Sequence, residues 1–421
     1  MPAPITPAAT PAIATGAGLQ EPKTPRSGAG RSATPFAPRP GTVLRGTVLG
    51  ALLSAALLTA GCGDEPVSAP PDDEPVGVWL RGDLHLHSDH SNDARDNPMS
   101  AIRPLAESLG MDYFVVTDHD NHVNGVLTTW DDPDYRSDSM IMLYGVEWTT
   151  ALGHANILSA HPWDHAPFWA LREGEGEDII AEARRQNVHF SINHPVAKDL
   201  WEFGFDMEFD SLEVWGALFA VPNNNRGAIT LWDGLLRDGR RIAARGGSDC
   251  HHQEGVEAAI FNVGNPTTWV YAPERTAESL LEALRRGRAS VGYAPQGERI
   301  ELAADADGNG SFELMMGDNL AEPTGAPLRL RVRVVNARDE ADYHVRLLRD
   351  GDLLIGETVV GADGLAELVW DDTPAEGGRT WYRAEVTGFL PLAPSGARFL
   401  YGDMVGLTNP IYVGFDDLPE L

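Results

Sequence analysis

Hydrophobic residues recur along the chain with two different spacings, which divide it into two regions. Between residues 78 and 299, short apolar runs such as 113–117 alternate with segments in which apolar residues recur every three or four positions, as in 102–109. This alternation predicts buried strands separated by amphipathic helices, which is an α/β arrangement. From residue 300 to 421, apolar and polar residues alternate one by one in short stretches such as 328–335. That period of two predicts a β-sandwich-like C-terminal domain.

The same periodicity places individual elements in the first region. The predicted helices cover residues 98–109, 177–186, 228–236 and 274–286. The predicted strands cover residues 78–87, 113–117, 140–146, 157–158, 188–192, 211–214 and 241–245. The segment 161–176 is rich in Trp, Pro and acidic residues, so it is expected to be a loop.

Residues able to bind metal ions stand at the ends of these predicted strands. His85 and His87 are two positions apart, so on an extended chain their side chains point to the same face. The next strand runs directly into Asp118 and His119. Side chains with chemistry at the C-terminal ends of successive strands are typical of a (β/α) barrel.

Further imidazoles and carboxylates follow later strands in the same way. Mixed nitrogen and oxygen ligands with open positions suit Zn, Mn or Fe rather than Ca or Mg. We therefore expect a centre that binds divalent metal ions. The candidate ligands are His85, His87, Asp93, His119, Glu147, His154, His194, Asp249 and His251.

Seven short segments occur in an order that resembles the PHP (polymerase and histidinol phosphatase) superfamily of metallohydrolases. The match spans about residues 78–288, and the Gly153–Asn156 segment together with the appended domain looks most like the carbaryl-hydrolase branch. The resemblance implies a distorted (β/α)7 barrel over 78–299, with two or three divalent ions. The segments are His85-x-His87, Asp93, Thr117-Asp118-His119, Gly145-x-Glu147, Gly153-His154-Ala155-Asn156, His194-Pro195 and Ser248-Asp249-x-His251.

The resemblance also implies how the candidate ligands are shared among the ions. The first ion would be bound by His85, His87, Glu147 and Asp249. Glu147 would also bridge to a second ion, which His154 and His194 complete. The third ion would be bound by Asp93, His119 and His251.

This ligand set predicts an enzyme that hydrolyses its substrate with a metal-bridged hydroxide. The resemblance implies that the substrate is a small phosphoester. Asp249 is expected to accept the proton of the attacking water. Lys198, Arg226 and Arg245 are the cations expected to bind the phosphate. Since basic residues are scarce near the motifs, a carbamate or carboxylic ester is an alternative substrate for the same metal centre. A non-catalytic surface binding protein is a further alternative.

The N-terminal part of the chain predicts export. Residues 1–40 are dominated by Pro, Ala, Ser, Thr and Gly, and a short apolar run from Val48 to Ala60 fits a signal-peptide core rather than a membrane span. Ala60 and Gly61 before Cys62 resemble a bacterial lipoprotein cleavage site, so Cys62 is a candidate for lipidation. We therefore expect a leader and signal peptide over 1–62, an acidic Pro-rich linker over 63–77, and a lipoprotein of the cell envelope or otherwise a secreted protein.

The formal net charge of −30 limits the partners of the chain. A strongly acidic surface repels nucleic acid and anionic membranes, so we expect a small-molecule substrate, no nucleic acid and membrane contact only through the lipid anchor. The sequence leaves the oligomeric state open.

Several other polar residues are expected to have less direct roles. Asp118 and Asp120 are expected to orient His119. His90, His122, His161, His165 and His252 are expected to be solvated loop residues. The segment 305–310, Asp-Ala-Asp-Gly-Asn-Gly, begins like a calcium loop, but Met316 stands at the twelfth position, so a plain turn is favoured.

Overall fold

The computed structural model describes residues 75–197, 201–254, 260–393, 399 and 402–418. Four helices agree with the predicted ones to within a few residues. A short additional helix, α2, lies inside the segment that was predicted to be a loop. The α-helices of the described residues are α1 (Met99–Ser108), α2 (Ala166–Ala170), α3 (Gly176–Gln186), α4 (Asn225–Arg237) and α5 (Ala277–Arg286).

Strands make up much more of the described chain than helices. They are β1 (Val78–Asp83), β2 (Tyr113–Phe114), β3 (Ile141–Met142), β4 (Tyr144–Thr150), β5 (Gly153–Ser159), β6 (His189–Ile192), β7 (Ser211–Gly216), β8 (Ala243–Gly247), β9 (Thr267–Ala272), β10 (Ala289–Gly292), β11 (Arg299–Asp305), β12 (Leu314–Met315), β13 (Asn319–Leu320), β14 (Leu328–Val335), β15 (Asp342–Arg349), β16 (Asp352–Val360), β17 (Leu365–Asp372), β18 (Thr380–Gly388), β19 (Met404–Thr408) and β20 (Ile411–Val413).

The sheet nearest to the candidate site has the strand order β4-β5-β6-β7-β8. Strands β4, β5 and β6 are antiparallel, whereas β6, β7 and β8 are parallel. The predicted third strand, 140–146, is divided between β3 and β4. Glu147 therefore lies in the middle of β4 and not at the end of a strand.

A longer sheet has the order β13-β20-β18-β19-β10-β9-β1-β2-β3, with β15 and β16 attached to β18. Strands β1, β2 and β3 are parallel, while β9 pairs with β1 in the antiparallel direction. The third sheet has the order β12-β11-β14-β17.

Two isolated parallel bridges connect the sheet β4–β8 to the long sheet. Leu86, just beyond β1, bridges to Cys250, and His119, beyond β2, bridges to Glu147. The fold is thus α/β with mixed sheets and few helices. The finer prediction of a (β/α)7 barrel is not established, because β4 and β5 form a hairpin without an intervening helix and pair in the antiparallel direction.

The strands after residue 300 are divided between the long sheet and the third sheet. Strand β10 pairs with β19, which places strands from both predicted regions in one sheet. The two sheets enclose alternating buried side chains, such as Leu330 and Val332 of β14 and Val345 of β15. The hydrophobic core continues from these two sheets into the α/β region. A separate β-sandwich-like domain over 300–421 stays a prediction.

No helix of the described residues is long and apolar enough to cross a membrane. The predicted leader and signal peptide, Cys62 and nearly all of the predicted linker lie outside the described residues.

Candidate metal centre

The polypeptide backbone brings the candidate ligands together from two directions. Residues 84–87 continue beyond β1, and residues 248–251 continue beyond β8, where the His87 N–H donates to the Cys250 carbonyl at 2.9 Å. Gly247 permits this close approach, since a Cβ atom there would lie 2.4 Å from the Cβ of His85. Asp249 has a φ of 52°, which is uncommon for a residue other than glycine and is found at functional sites.

Strands β4, β5 and β6 supply the opposite side of the centre. Glu147 is on β4, His154 is at the start of β5, and His194 follows β6 with a φ of 25°. Glu147 and His154 project from adjacent antiparallel strands, on which Glu147 pairs with Asn156. The hairpin therefore places the two side chains side by side.

Glu147 is the hub of the cluster, and its Oε1 atom faces three imidazoles. Oε1 lies 3.3 Å from His85 Nε2, from His154 Nδ1 and from His194 Nε2. Two ligands of a tetrahedral ion with bonds of about 2.0–2.1 Å are separated by about 3.3 Å. The three distances therefore fit imidazoles that share metal ions with this carboxylate.

The second oxygen of Glu147 faces a different pair of imidazoles. Oε2 lies 3.6 Å from His87 Nε2 and 2.8 Å from His119 Nδ1. Because the two oxygens face different histidines, Glu147 has the geometry of a bridging carboxylate.

Asp249 completes the first group of candidate ligands. Its Oδ1 atom lies 3.1 Å from His87 Nε2 and 3.3 Å from His85 Nε2. The structure thus brings together His85, His87, Glu147 and Asp249, the four residues expected to bind the first ion.

The third group is organised around Asp93. Its Oδ2 atom lies 3.3 Å from His119 Nε2 and 3.6 Å from His251 Nε2. Its Oδ1 atom lies 3.5 Å from Nδ1 of His122, which was predicted to be a solvated loop residue but is partly buried against this group. The imidazole of His122 is therefore close enough to join the third group, in addition to those of His119 and His251.

Hydrogen bonds fix the ring orientation of three candidate ligands. His85 Nδ1 donates to Glu213 Oε2 at 2.8 Å, and His251 Nδ1 donates to the carbonyl of Asp249 at 2.8 Å. His119 Nδ1 and Thr149 Oγ1 are joined by a hydrogen bond of 2.6 Å. Each bond leaves the Nε2 lone pair directed at a carboxylate of the cluster, which is the usual arrangement of metal-binding histidines.

Several buried atoms in the cluster have no hydrogen-bond partner among the described residues. They are His85 Nε2, His87 Nδ1, His154 Nδ1 and Glu147 Oε2. Leaving buried polar atoms without partners is costly. Since imidazole nitrogens and carboxylate oxygens are ligands for Zn, Mn and Fe, the residues present fit divalent ions.

The pKa values in the cluster show how strongly it attracts cations. Burial opposes the charged form of His119, but Glu147 and Asp93 outweigh burial and raise the pKa of His119 to about 10. Burial likewise opposes the charged form of Glu147, yet the surrounding imidazoles hold the pKa of that carboxyl well below its usual range. Protons held in this way compete with metal ions, so metal binding would release them.

A scan against family models and a search of curated proteins give no match. Among solved structures, the chain is similar to a two-domain protein containing a predicted PHP-like metal-dependent phosphoesterase from Bacteroides vulgatus ATCC 8482. The two chains share 16% identity with a TM-score of 0.41, over 80% of this chain and 97% of that chain. A similarity of this size assigns neither the fold nor the activity.

Of the cations predicted to bind substrate, the two that the structure describes are engaged by other side chains and do not converge on the cluster. Arg245 is fully buried, and its guanidinium donates to Ser191 Oγ at 2.6 Å, to Glu213 Oε2 at 2.7 Å and to Asn193 Oδ1. This corrects the prediction, because a buried and bonded guanidinium cannot reach a substrate. Arg226 packs over Phe219 and lies 3.5 Å from Glu385. Lys198 lies outside the described residues.

Two residues outside the predicted set support the centre. Glu213 on β7 is held between Arg245 and His85, so it fixes the ring of His85. Asn193 Nδ2 donates to Glu147 Oε1 at 2.7 Å. The position of Asn193 beside His194 was the available signal for it, whereas Glu213 gave no signal beyond being an acidic residue in an apolar strand.

Asp118 and Asp120 do not bond to the His119 ring, which corrects a further prediction. Asp118 accepts hydrogen bonds from the Ser88 backbone, the Ser88 hydroxyl and Thr129, so it anchors the loop beyond His87. Asp120 accepts from the Thr149 N–H at 3.0 Å and pairs with His165 and Arg172.

Cys250, between two candidate ligands, is buried. Burial raises the pKa of its thiol to about 12, which makes it a poor nucleophile and agrees with its packing in the core.

Proposed function

We propose that this protein is a metal-dependent hydrolase of the PHP type. One observation carries the proposal: the two oxygens of the buried Glu147 face different sets of imidazoles at separations expected between metal ligands. For residues 78–299 we propose a distorted (β/α)7 barrel, closed by the two bridges at Leu86 and His119.

The proposed ligands are the nine predicted residues, for two or three ions of Zn, Mn or Fe. Such ions supply Lewis acidity and a water of lowered pKa. Asp249 is the group proposed to accept the proton of the attacking water, because it is 19% exposed while Glu147 is enclosed. Glu213 and Thr149 hold the rings of His85 and His119 so that each presents Nε2 to the centre.

We propose a small phosphoester as the substrate. The cluster contains the carboxylates of Asp93, Glu147 and Asp249, so two divalent ions leave it with a small positive charge and a third ion adds to it. An anionic substrate would then be attracted by the ions themselves. This matters because no described residue of the centre is a free Arg or Lys.

The lack of a free Arg or Lys among the described residues of the centre also supports a second candidate substrate, a carbamate or carboxylic ester. Arg245 is used internally, and Arg226 is paired with Glu385. A neutral carbonyl substrate needs no phosphate-binding guanidinium, and the same centre suits attack on carbon. If a carbamate is the substrate, we propose that the protein is similar to the carbaryl-hydrolase branch, which its sequence resembles.

Metal analysis of the purified chain together with a substrate screen tests the proposal. We expect two or three bound transition-metal ions per chain and turnover of aryl phosphates that a chelator abolishes. Turnover of aryl esters or carbamates alone would favour the second candidate. A chain that binds no transition metal, or metal without turnover of any of the three substrate classes, would contradict the proposed activity.

We also propose that the chain is exported as a lipoprotein, with Cys62 as the lipidated residue and a small molecule as substrate. The support is the sequence alone, since Cys62 lies outside the described residues. Cys62→Ser should move the protein from the membrane fraction of a bacterial host to the soluble fraction, or leave an unprocessed precursor. If the unaltered protein is itself soluble and cleaved elsewhere, the lipoprotein proposal is wrong.

A further inference from the structure

The loop between β11 and β12 has a spacing of oxygen-bearing side chains that the hydrolase proposal does not use. Its sequence from Asp305 to Glu313 is Asp-Ala-Asp-Gly-Asn-Gly-Ser-Phe-Glu. Side-chain oxygens occur at every second residue, at Asp305, Asp307, Asn309, Ser311 and Glu313. Calcium loops take their ligands from positions 1, 3, 5, 7 and 9, of which position 7 contributes its backbone carbonyl, and they have glycine at position 6, which is Gly310 here.

The backbone of the loop also follows that arrangement. Asp305 Oδ1 accepts from the Gly308 N–H at 2.7 Å, and Oδ2 accepts from the Gly310 N–H at 2.9 Å. Gly308 and Gly310 have φ angles of 76° and 91°. These conformations favour glycine, and they curl the loop around the Asp305 carboxylate.

A separate observation concerns two oxygen atoms of this loop, one on the half-buried Glu313 and one on Ser311. Glu313 folds back so that its Oε1 atom accepts from the Ala306 N–H at 2.7 Å, which places the carboxylate against the loop. Its Oε2 atom is buried and has no hydrogen-bond partner among the described residues. The hydroxyl of Ser311, a residue that is 1% exposed, is also buried without a described partner.

These buried atoms require compensation. A buried carboxylate oxygen without a partner is costly, and the described residues include no Arg or Lys in an ion pair with Asp305 or Glu313. A cation that binds oxygen atoms would satisfy Glu313 Oε2 and neutralise Asp305. The absence of imidazole and thiolate from the loop favours a hard ion over the metals suited to the histidine-rich centre.

We propose that the β11–β12 loop is a calcium site whose ligands are provided by Asp305, Asp307, Asn309, Ser311 and Glu313. Position 12, which supplies a bidentate glutamate in the strongest loops, is the buried Met316. Glu313 at position 9 is the carboxylate that closes the site in its place. With fewer carboxylate ligands, we expect a dissociation constant on the order of 10⁻⁴–10⁻³ M, as in weak calcium modules.

Calorimetric titration of Ca²⁺ into the full chain, with its histidine-rich centre already loaded with transition metal, tests the site. We expect one Ca²⁺ per chain and a Ca²⁺-dependent rise in melting temperature. Glu313→Gln keeps an oxygen for the Ala306 N–H but replaces the other oxygen by an amide nitrogen, so it should weaken binding at least about tenfold. Asp363→Asn removes the same charge from an exposed turn elsewhere and should bind Ca²⁺ like the unaltered chain.

The outcomes separate a calcium site from the alternatives. Binding that is absent at about 10 mM Ca²⁺, or equal in Glu313→Gln and the unaltered chain, would overturn the proposal. If Glu313→Gln does not fold, Asp307→Asn decides the matter in the same way, since Asp307 is exposed and its loss threatens no core contact. A crystal structure grown with Ca²⁺ should have oxygens about 2.3–2.6 Å from the ion; a water at hydrogen-bond distances would overturn the proposal.

Discussion

Two clusters of buried charge in this molecule are built in opposite ways. In the candidate metal centre, carboxylates meet imidazoles, and atoms such as His85 Nε2 and Glu147 Oε2 have no described hydrogen-bond partner. In the second cluster, between α4 and β18, Arg383 donates to both oxygens of Asp233 at 2.9 Å and to Glu385 at 2.8 Å. The second cluster satisfies its own charges, whereas the first does not.

This difference in hydrogen bonding distinguishes a buried charge cluster that is structural from one that needs a bound cation. A buried guanidinium that meets two carboxylates needs nothing else, so the Arg383 cluster is a structural connection between α4 and β18. A buried group of imidazoles and carboxylates with unbonded atoms needs a cation. The comparison leads to variants that should affect one cluster and spare the other.

The largest effect is expected at Arg383. Arg383→Met leaves the buried carboxylates of Asp233 and Glu385 without their main partner, so the free energy of unfolding should fall by about 3–5 kcal/mol. Denaturant melts measure this. Arg346→Met is the control: Arg346 also pairs with Glu385, but its side chain is 33% exposed, and the loss should stay below about 1 kcal/mol. Equal losses in the two variants would contradict the contrast between buried and exposed pairing.

The converse effect is expected at Glu147. Glu147→Gln removes one negative charge and one ligand oxygen from the hub, so bound metal should fall and turnover should drop by more than about 100-fold while the chain stays folded. Metal analysis, activity and a thermal melt measure the three quantities. Glu357→Gln, an exposed carboxylate on β16, should change none of them. Full metal content with normal turnover in Glu147→Gln would remove the bridging role.

A smaller effect is expected at Glu213, which touches the centre through the ring of His85 and the backbone N–H of His194. Glu213→Gln should weaken metal affinity by about 10–100-fold, since the ring of His85 loses its charged acceptor. Competition with a chelator measures the affinity. The melting temperature of the metal-free protein is the matched readout, because Glu213 also pairs with the buried Arg245. A fall in that temperature without any change in metal affinity would make Glu213 purely structural.

The proximity of the candidate ligands could be predicted from the sequence, because histidines and acidic residues interrupt apolar strands that otherwise bury apolar side chains. Their role as metal ligands stays a prediction. Glu213 could not be predicted, since its partner His85 is 128 positions away in the chain. The prediction that Arg245 binds substrate is wrong for the same reason, because its partners Ser191 and Asn193 are also distant in the sequence. A basic residue near the motifs was expected at the surface of the site, but the sheet buries it behind Asn193 and Glu213.

The fold was predictable where periodicity is strong and local. The amphipathic spacing of α3 and α5 and the alternation of β14 depend on neighbouring residues only. The pairing of β10 with β19 depends on residues more than one hundred positions apart, such as Ser290 and Thr408. No local pattern specifies that pairing, so the continuity of the long sheet across both regions was not foreseen.

The smallest effect concerns a buried histidine outside both clusters. His189 on β6 bonds through Nε2 to Ser211 Oγ at 2.8 Å, and burial lowers its pKa to about 4. His119 shows the opposite shift because carboxylates surround it. Since His189 stays neutral in the folded chain while the unfolded chain takes up a proton below a pH of about 6.5, stability should fall as the pH falls from about 6.5 towards about 4.

His189→Gln removes this proton uptake from the unfolded chain. The difference between the variant and the unaltered chain therefore measures the contribution of His189 to the pH dependence of stability. At about pH 5.5 the contribution of His189 should be about 1 kcal/mol, so the variant should lose that much less stability between about pH 7.5 and 5.5 than the unaltered chain. Denaturant melts at each pH measure the loss. The same saturating metal concentration is used for both proteins, so that the imidazoles of the candidate metal centre respond equally in the two. If the two chains lose stability in parallel, His189 is protonated in the folded state, and burial with a single hydroxyl partner is not enough to keep an imidazole neutral here.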